Sequence, residues 1–250
     1  MNQELAKIRD YQKKAALRRK DRVFVVEGIR ACREVPEERL LRTVVSESYV
    51  KAYGRPEGAL VVPDRDFERV SDTKTPQGVL KLASVSEPDE DTVLEKENGL
   101  YMLLENVRDP GNLGTIIRTA EACCVDAVIL SPECVDLYNP KVVRATMGSL
   151  FRVSCLVSGN LKKTVEKIRK RGGKVYAASL QDSVSYDDAD YCGMSAFIIG
   201  NEANGLTEEI CEASDMRIHI PMGGEVESLN ASVAAAVLMA EAARQRRKKG

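Results

Sequence analysis

The sequence predicts an α/β protein in two parts: a largely parallel sheet covered by helices on both faces, preceded by a smaller α/β domain. Apolar runs of strand length alternate with helical segments twice along the chain, the second series starting at Gly99. Runs in the second series are continuously apolar, as expected of parallel strands buried on both faces. Between the two series, Ser86 to Asn98 is acidic and carries Pro88, the composition of a connection. The expected division is a first domain over 1–90, a linker at 91–98 and a second domain over 99–250.

In chain order, the first twenty residues read as helical, with Leu5, Ile8, Ala15 and Ala16 on a sparse apolar face. Arg22 to Val26 reads as a strand ending at Glu27-Gly28, Ile29 to Glu34 as a short helix and Leu41 to Val45 as a second strand. Gly58 to Pro63 and Gly78 to Leu82 are two more, with a helix at Arg65 to Val70 between them. After the connection, strands are expected at Leu100 to Leu104, Ala127 to Leu130, Phe151 to Val157, Lys174 to Leu180, Ala196 to Ile199 and Arg217 to Ile220. Helices are expected at Leu113 to Cys123, Leu161 to Arg171 and Thr207 to Ala213, with a last one closing the chain.

The stretch RIHIPMGGEVESLNASVAAAVLMAEAARQRR reads as strand, glycine turn and alanine-rich helix. Ser228 stands as its N-cap, and Leu229, Val233, Val237 and Ala240 repeat at helical spacing. Gly223-Gly224 suits a sharp turn or a close ligand. Asn230, in the first turn, brings a second polar group to the same spot as Ser228 and unpaired helix N–H groups. That suits either simple capping or a polar ligand.

Composition removes several classes. Nothing approaches the uncharged apolar run of a membrane span, and the N-terminus shows no signal-peptide core, so a cytoplasmic protein is expected. Seven cysteines without a C-x-x-C spacing and a single histidine, His219, assemble neither a zinc site nor a histidine-dependent triad, and the cysteines are expected reduced and mostly buried. No G-x-G-x-x-G follows a strand and no P-loop is present, which disfavours dinucleotide enzymes and P-loop NTPases. The net charge of −1 conceals basic ends: Lys13, Lys14, Arg18, Arg19, Lys20, Arg22 and Arg30 near the start, and Arg244, Arg246, Arg247, Lys248 and Lys249 at the end. Such clusters suit a phosphate backbone or a solvated helix face equally. With no Trp and only four Phe, a stacking platform for single-stranded bases is not expected.

Three polar clusters follow strands, where open parallel sheets bind ligands: Glu105 to Gly114 with Arg118 one turn into the helix, Gly200 to Leu206, and the stretch ending at Asn230. The order DPGNLGTIIRTAEA, NPKVVRATMGSLFRV, FIIGNEANGL and IPMGGEVESLNASVAAA resembles the SpoU-type (TrmH-like) RNA ribose 2′-O-methyltransferases of the SPOUT superfamily. The likeness covers Gly99 to Arg247. Phe24 to Gly28 and Thr75 to Val79 resemble, more weakly, the L30e-like substrate-binding domain many of these enzymes carry.

That resemblance implies a parallel α/β domain whose C-terminal segment forms a trefoil knot, against the general rarity of knots. It implies S-adenosylmethionine as cofactor, contacted through Gly200, Ile220 and Leu229 with Met222 nearby. Catalytic roles fall by motif position on Asn112, Arg118, Glu202, Ser228 and Asn230. The implied partners are RNA, ribosomal (23S-type) in preference to tRNA, and a second copy of the chain whose Arg118 completes the site. No metal and no membrane partner are implied. The chemistry is alignment of a ribose 2′-hydroxyl with the methyl group and removal of its proton. A guanidinium is a poor base, so Arg118 suits gripping a phosphate and steadying an alkoxide, which leaves proton removal to Glu202, a phosphate oxygen or water.

The chain departs from the family pattern at Glu105 (frequently Asp), Ala231 (frequently Val) and Cys123-Cys124, where an aromatic and a glycine usually end the helix. Without that glycine a left-handed helix end lacks its usual residue. The alternative reading is a catalytically silent RNA-binding or ribosome-assembly protein, which explains the basic ends but not the intact polar set. A small-molecule α/β enzyme explains the sheet but not the basic clusters.

Overall fold

The computed structural model describes residues 3–249 and divides into two compact units: Met1–Ser86 with Asp136–Phe151, and Glu87–Val135 with Arg152–Gly250. In chain order the first unit holds α1 (Gln3–Lys13), α2 (Ala15–Asp21), β1 (Val23–Glu27), α3 (Ile29–Arg33), β2 (Leu40–Ser46), α4 (Glu47–Tyr53), β3 (Leu60–Val62), α5 (Asp64–Val70) and β4 (Val79–Ser84). The second begins with α6 (Glu90–Val93), β5 (Leu100–Leu104), α7 (Pro110–Ala122) and β6 (Ala127–Leu130). The chain then returns to the first unit for α8 (Pro140–Ala145) before β7 (Ser154–Val157), α9 (Leu161–Lys170), β8 (Lys174–Ala178), β9 (Val184–Ser185), β10 (Ser195–Ile199), α10 (Glu208–Ala213), β11 (Met216–His219) and α11 (Ala231–Lys249).

The first unit's sheet has the order β1-β4-β2-β3, with β4 antiparallel to both neighbours and β2 parallel to β3. Leu5, Ile8 and Tyr11 of α1 close its core against Val25, Phe67 and Leu80. Arg18, expected among the free basic residues, is 3% exposed: its Nε donates to Asp136 Oδ2 at 3.0 Å and its Nη1 to the Tyr11 and Gln12 carbonyls. An arginine so paired on a carboxylate and two carbonyls is part of the fold, not a phosphate contact.

The second unit's sheet runs β7-β6-β5-β10-β8-β11-β9, parallel at every pairing. All five residues of β5 and of β10 are buried, which is why these central strands read as unbroken apolar runs. The linker expected at 91–98 belongs to this unit: α6 runs into it from Glu90, and the Glu90 and Asp91 carboxylates both take Lys167 of α9. Strand ends also shift. Ser149–Phe151 forms a 3-10 turn, so β7 starts at Ser154 rather than Phe151, and β8 stops at Ala178 rather than Leu180.

Helix α7 does end left-handed. Cys124 takes φ +56° where glycine is usual, with Val125 N–H donating to the Ala120 carbonyl and Cys124 N–H to that of Glu121. The cysteines are free, with Cys32, Cys155 and Cys211 buried and Cys124 exposed, a smaller buried share than expected.

The final helix departs most from expectation. It starts at Ala231, leaving Ser228 and Leu229 outside it, and Asn230 is the cap: its Oδ1 accepts from Ser232 N–H at 2.9 Å. Its buried face is Ala231, Ala235, Leu238, Met239 and Ala242, while Val233 is 47% exposed. Leu238 and Met239 are thus covered within the chain and need no second surface. Gly223 and Gly224 take ordinary φ, and a Cβ on either would meet open space, so the turn does not require glycine.

Candidate active site

The carboxyl ends of β8, β10 and β11 open onto one cavity of about 450 Å³, within the range of small-molecule sites. Gly200, Glu202, Ile220, Met222, Ser228 and Leu229, expected from widely separated motifs, all line it. Sequence reading missed Ser179, Leu180 and Gln181 on its wall; the signal was available, because they directly follow a parallel strand.

The loop after β10 folds back on itself. Asn201 and Gly205 exchange backbone hydrogen bonds at 3.0 and 2.9 Å, and the Asn201 Oδ1 accepts from the Ala203 and Asn204 N–H groups. Gly200 is the glycine this shape needs, since a Cβ there would lie 2.2 Å from the Gly205 carbonyl carbon. Two further contacts tie the loop to the segment after β5: Asn201 Nδ2 donates to the Asn106 carbonyl, and Glu105 accepts from Thr207 N–H and Oγ1 at 2.8 and 2.7 Å.

Glu202, Asn112 and Asn230 form a continuous chain. Asn112 Nδ2 donates to Glu202 Oε1 at 3.0 Å, and Asn230 Nδ2 donates to Asn112 Oδ1 at 3.0 Å. Because Asn230 also caps α11 and Asp109 caps α7 by accepting the Asn112 N–H, both amides are fixed by helix starts. The Glu202 carboxylate further takes the N–H groups of Asp109 and Arg108 at 3.3 and 3.5 Å. Partial burial pushes its pKa up, but the bonds from Asn112 and the backbone outweigh that and hold it below the ordinary glutamate value. Glu202 is therefore ionised at neutral pH and a weak proton acceptor.

Arg118 stands apart. It is exposed on α7, with Thr115 one turn earlier, and has no hydrogen-bond or ion-pair partner among the described residues. The structure joins Asn112, Glu202 and Asn230 directly, with only Glu202 of the three on the cavity lining, and brings Arg118 to none of these. Among the described residues no group of three His, Cys, Asp or Glu is placed to hold a metal, and no helix is long and apolar enough to cross a membrane.

The model of the SpoU rRNA methylase family matches residues 99–240. The chain is 36% identical over 173 residues to the 23S rRNA (guanosine(2553)-2′-O)-methyltransferase RlmP of Bacillus subtilis, covering 69% of this chain and 67% of that protein. It is 32% identical over 212 residues to the 23S rRNA (uridine(2479)-2′-O)-methyltransferase of Streptomyces viridochromogenes, covering 83% and 70%. The AdoMet-bound rRNA methyltransferase of Sinorhizobium meliloti superposes with a TM-score of 0.87 at 29% identity, covering 97% of this chain and 95% of that one. With the family's model matching more than half the sequence, the chain belongs to the SpoU rRNA methylase family.

Proposed function

We propose that this chain transfers the methyl group of S-adenosylmethionine to a ribose 2′-hydroxyl of structured RNA, large-subunit ribosomal RNA in preference to tRNA. The observation that carries it is the Glu202–Asn112–Asn230 chain ending at the wall of the cavity beyond β10. The cavity fits the cofactor: Gly200 permits backbone-to-backbone approach in one wall, and residues 220–230 lie outside any helix or strand, so their peptide groups are not consumed by a ladder. When bound, the cofactor supplies a methyl group already activated on a sulfonium. Gly200, Ile220, Met222 and Leu229 would hold it.

The chain's own groups then align and steady the ribose. Glu202, ionised and engaged by four N–H donors, those of Arg108, Asp109, Asn112 and the Asn201 side chain, orients the Asn112 amide rather than taking a proton. The second N–H of Asn112 or Asn230 and the Ser228 hydroxyl can stabilise charge developing on the 2′-oxygen as its bond to the methyl carbon forms and the C–S bond breaks. The proton leaves to a phosphate oxygen or water. Arg118, far from this chain of contacts but exposed and unpaired, fits the role of completing a partner's site in a homodimer. On α11, Val233, Ala236, Val237 and Ala240 form a small apolar stripe at helical spacing that this chain leaves wholly or partly uncovered. The trefoil knot of the C-terminal segment, a substrate-binding role for the first unit through exposed cations such as Lys13, Arg19, Lys20 and Arg30, and a cytoplasmic location complete the reading.

Labelled S-adenosylmethionine with total RNA of a close relative tests it. Label should enter a 2′-O-methylated nucleoside of the large ribosomal RNA. Tight RNA binding without transfer would favour the silent RNA-binding alternative. Arg118→Lys should bind cofactor normally and turn over poorly, and Ala236→Arg should sediment as an inactive monomer; a fully active monomer would remove the shared site.

A further inference from the structure

The loop from Glu105 to Asn112 contains one cation, Arg108, and its two carboxylates and the neighbouring Glu202 are all occupied: Glu105 by Thr207, Asp109 by the Asn112 N–H and Glu202 by its four donors. None of them pairs with the Arg108 side chain, which is exposed. Its Nε instead donates to Asn106 Oδ1 at 2.8 Å, leaving both terminal nitrogens without a partner among the described residues. Elsewhere in this unit, Arg152, Arg169, Arg171, Arg217 and Arg244 all reach carboxylates.

The anchor itself is strained in a purposeful way. Asn106 sits at φ +57°, a left-handed backbone unusual for a residue other than glycine, and its carbonyl takes Asn201 Nδ2. That conformation aims the Asn106 amide at the guanidinium. The Arg108 backbone N–H, meanwhile, is fixed on Glu202. The planar fork is thus oriented at its root and open at its tip, beside the carboxylate that orders the proposed catalytic amides. A phosphodiester approaching here meets the negative charges of Glu105, Asp109 and Glu202, and Arg108 is the group placed to offset them.

We infer that Arg108 is a preoriented RNA contact that grips a backbone phosphate next to the target ribose through its two free terminal nitrogens, with Asn106 as its positioning residue. This rests on the RNA-methyltransferase reading above. A planar fork suits phosphate bidentately, whereas lysine offers a single point charge.

The test compares wild type, Arg108→Ala, Arg108→Lys and Asn106→Gly in methyl transfer, RNA binding across a salt series and cofactor calorimetry. Asn106→Gly keeps the left-handed backbone while removing the anchor. Arg108→Ala should raise the RNA KM about 10-fold, the worth of one strong charged contact, with unchanged cofactor affinity. Its log–log salt slope should become shallower by about 0.7–0.9, the loss of one phosphate. Arg108→Lys should recover the slope but only part of the KM, and Asn106→Gly should raise the KM with the slope intact. An active wild type whose Arg108→Ala variant keeps its KM and salt slope overturns the inference, as does a variant that loses cofactor affinity instead. A wild type that transfers no methyl group to RNA would fail the underlying reading, a distinct result.

Discussion

Glu27 and Glu202 are two carboxylates built from the same parts and put to opposite uses. Glu27 ends β1, is 5% exposed, and accepts from Gln12 Nε2, Ser71 Oγ, Asp72 N–H and Thr73 Oγ1. Glu202 follows β10, is exposed, and accepts from the side-chain amides of Asn112 and Asn201 and from two backbone N–H groups. The donors differ in what they do next. Gln12 turns its Nε2 to the Val70 carbonyl and leaves its buried Oε1 unpartnered, so that network ends inside the first unit. Asn112 passes the connection on to Asn230 and the start of α11, at the edge of a cavity. A satisfied carboxylate is structural when its network closes in the core, and useful when its network reaches a surface where a ligand can join it.

Substitutions should separate the two. The largest expected effect is on Glu27: Glu27→Ala strands four donors in or near the core and should cost about 3 kcal/mol of unfolding free energy, read from the denaturant midpoint. An unchanged midpoint would place Glu27 with Glu202 as a surface group. Next, Glu202→Gln should leave that midpoint nearly unchanged while turnover falls about 100-fold, through misplacement of the Asn112 amide. Since hydrogen bonding lowers the folded pKa of Glu202, its contribution is present above the ordinary glutamate pKa and lost only as pH falls through the lower folded value. Wild-type activity should therefore show no inflection from this group across neutral pH. The smallest effect on stability belongs to Asn230→Asp, which keeps the cap acceptor for α11 but removes the donor to Asn112. Stability should hold within about 0.5 kcal/mol while turnover drops roughly 10-fold. Equal losses in both would mean that Asn230 is only a cap.

Six of the seven strands of the second unit were legible because burial on both faces leaves an unbroken apolar run, as in β5 and β10; the two-residue β9 was not expected. The short helices α4 and α8 were not: α4 buries none of its residues, and α8 is only six residues long. On α11 the repeat through Val233 and Val237 is real but lies off the buried face, which small alanines share with Leu238 and Met239. Periodicity finds a stripe without saying what covers it. The cap was read two residues early because Ser228 and Asn230 are equally good capping types. The cavity set was legible only through motif likeness, since Gly200, Ile220 and Leu229 carry no distinctive side-chain chemistry. The Asn106–Asn201 pairing and the Glu27 network were invisible, being made across separations of 15 to 95 residues.

Near the end of the chain, Arg246 donates to the carbonyls of Asn98, Gly99, Tyr191 and Gly193, reaching back 148 residues to the first of them. During synthesis, the edge from which β5 departs therefore waits for a residue made 148 positions after Asn98. On a ribosome adding about 5–20 residues per second, the segment from Gly99 onward emerges several seconds before that clamp exists. Through that interval the central strands must be kept from pairing with neighbouring chains. The nascent second unit is consequently the stage at which a chaperone would matter most, and mutations of Arg246 should act first on yield and only then on the finished enzyme.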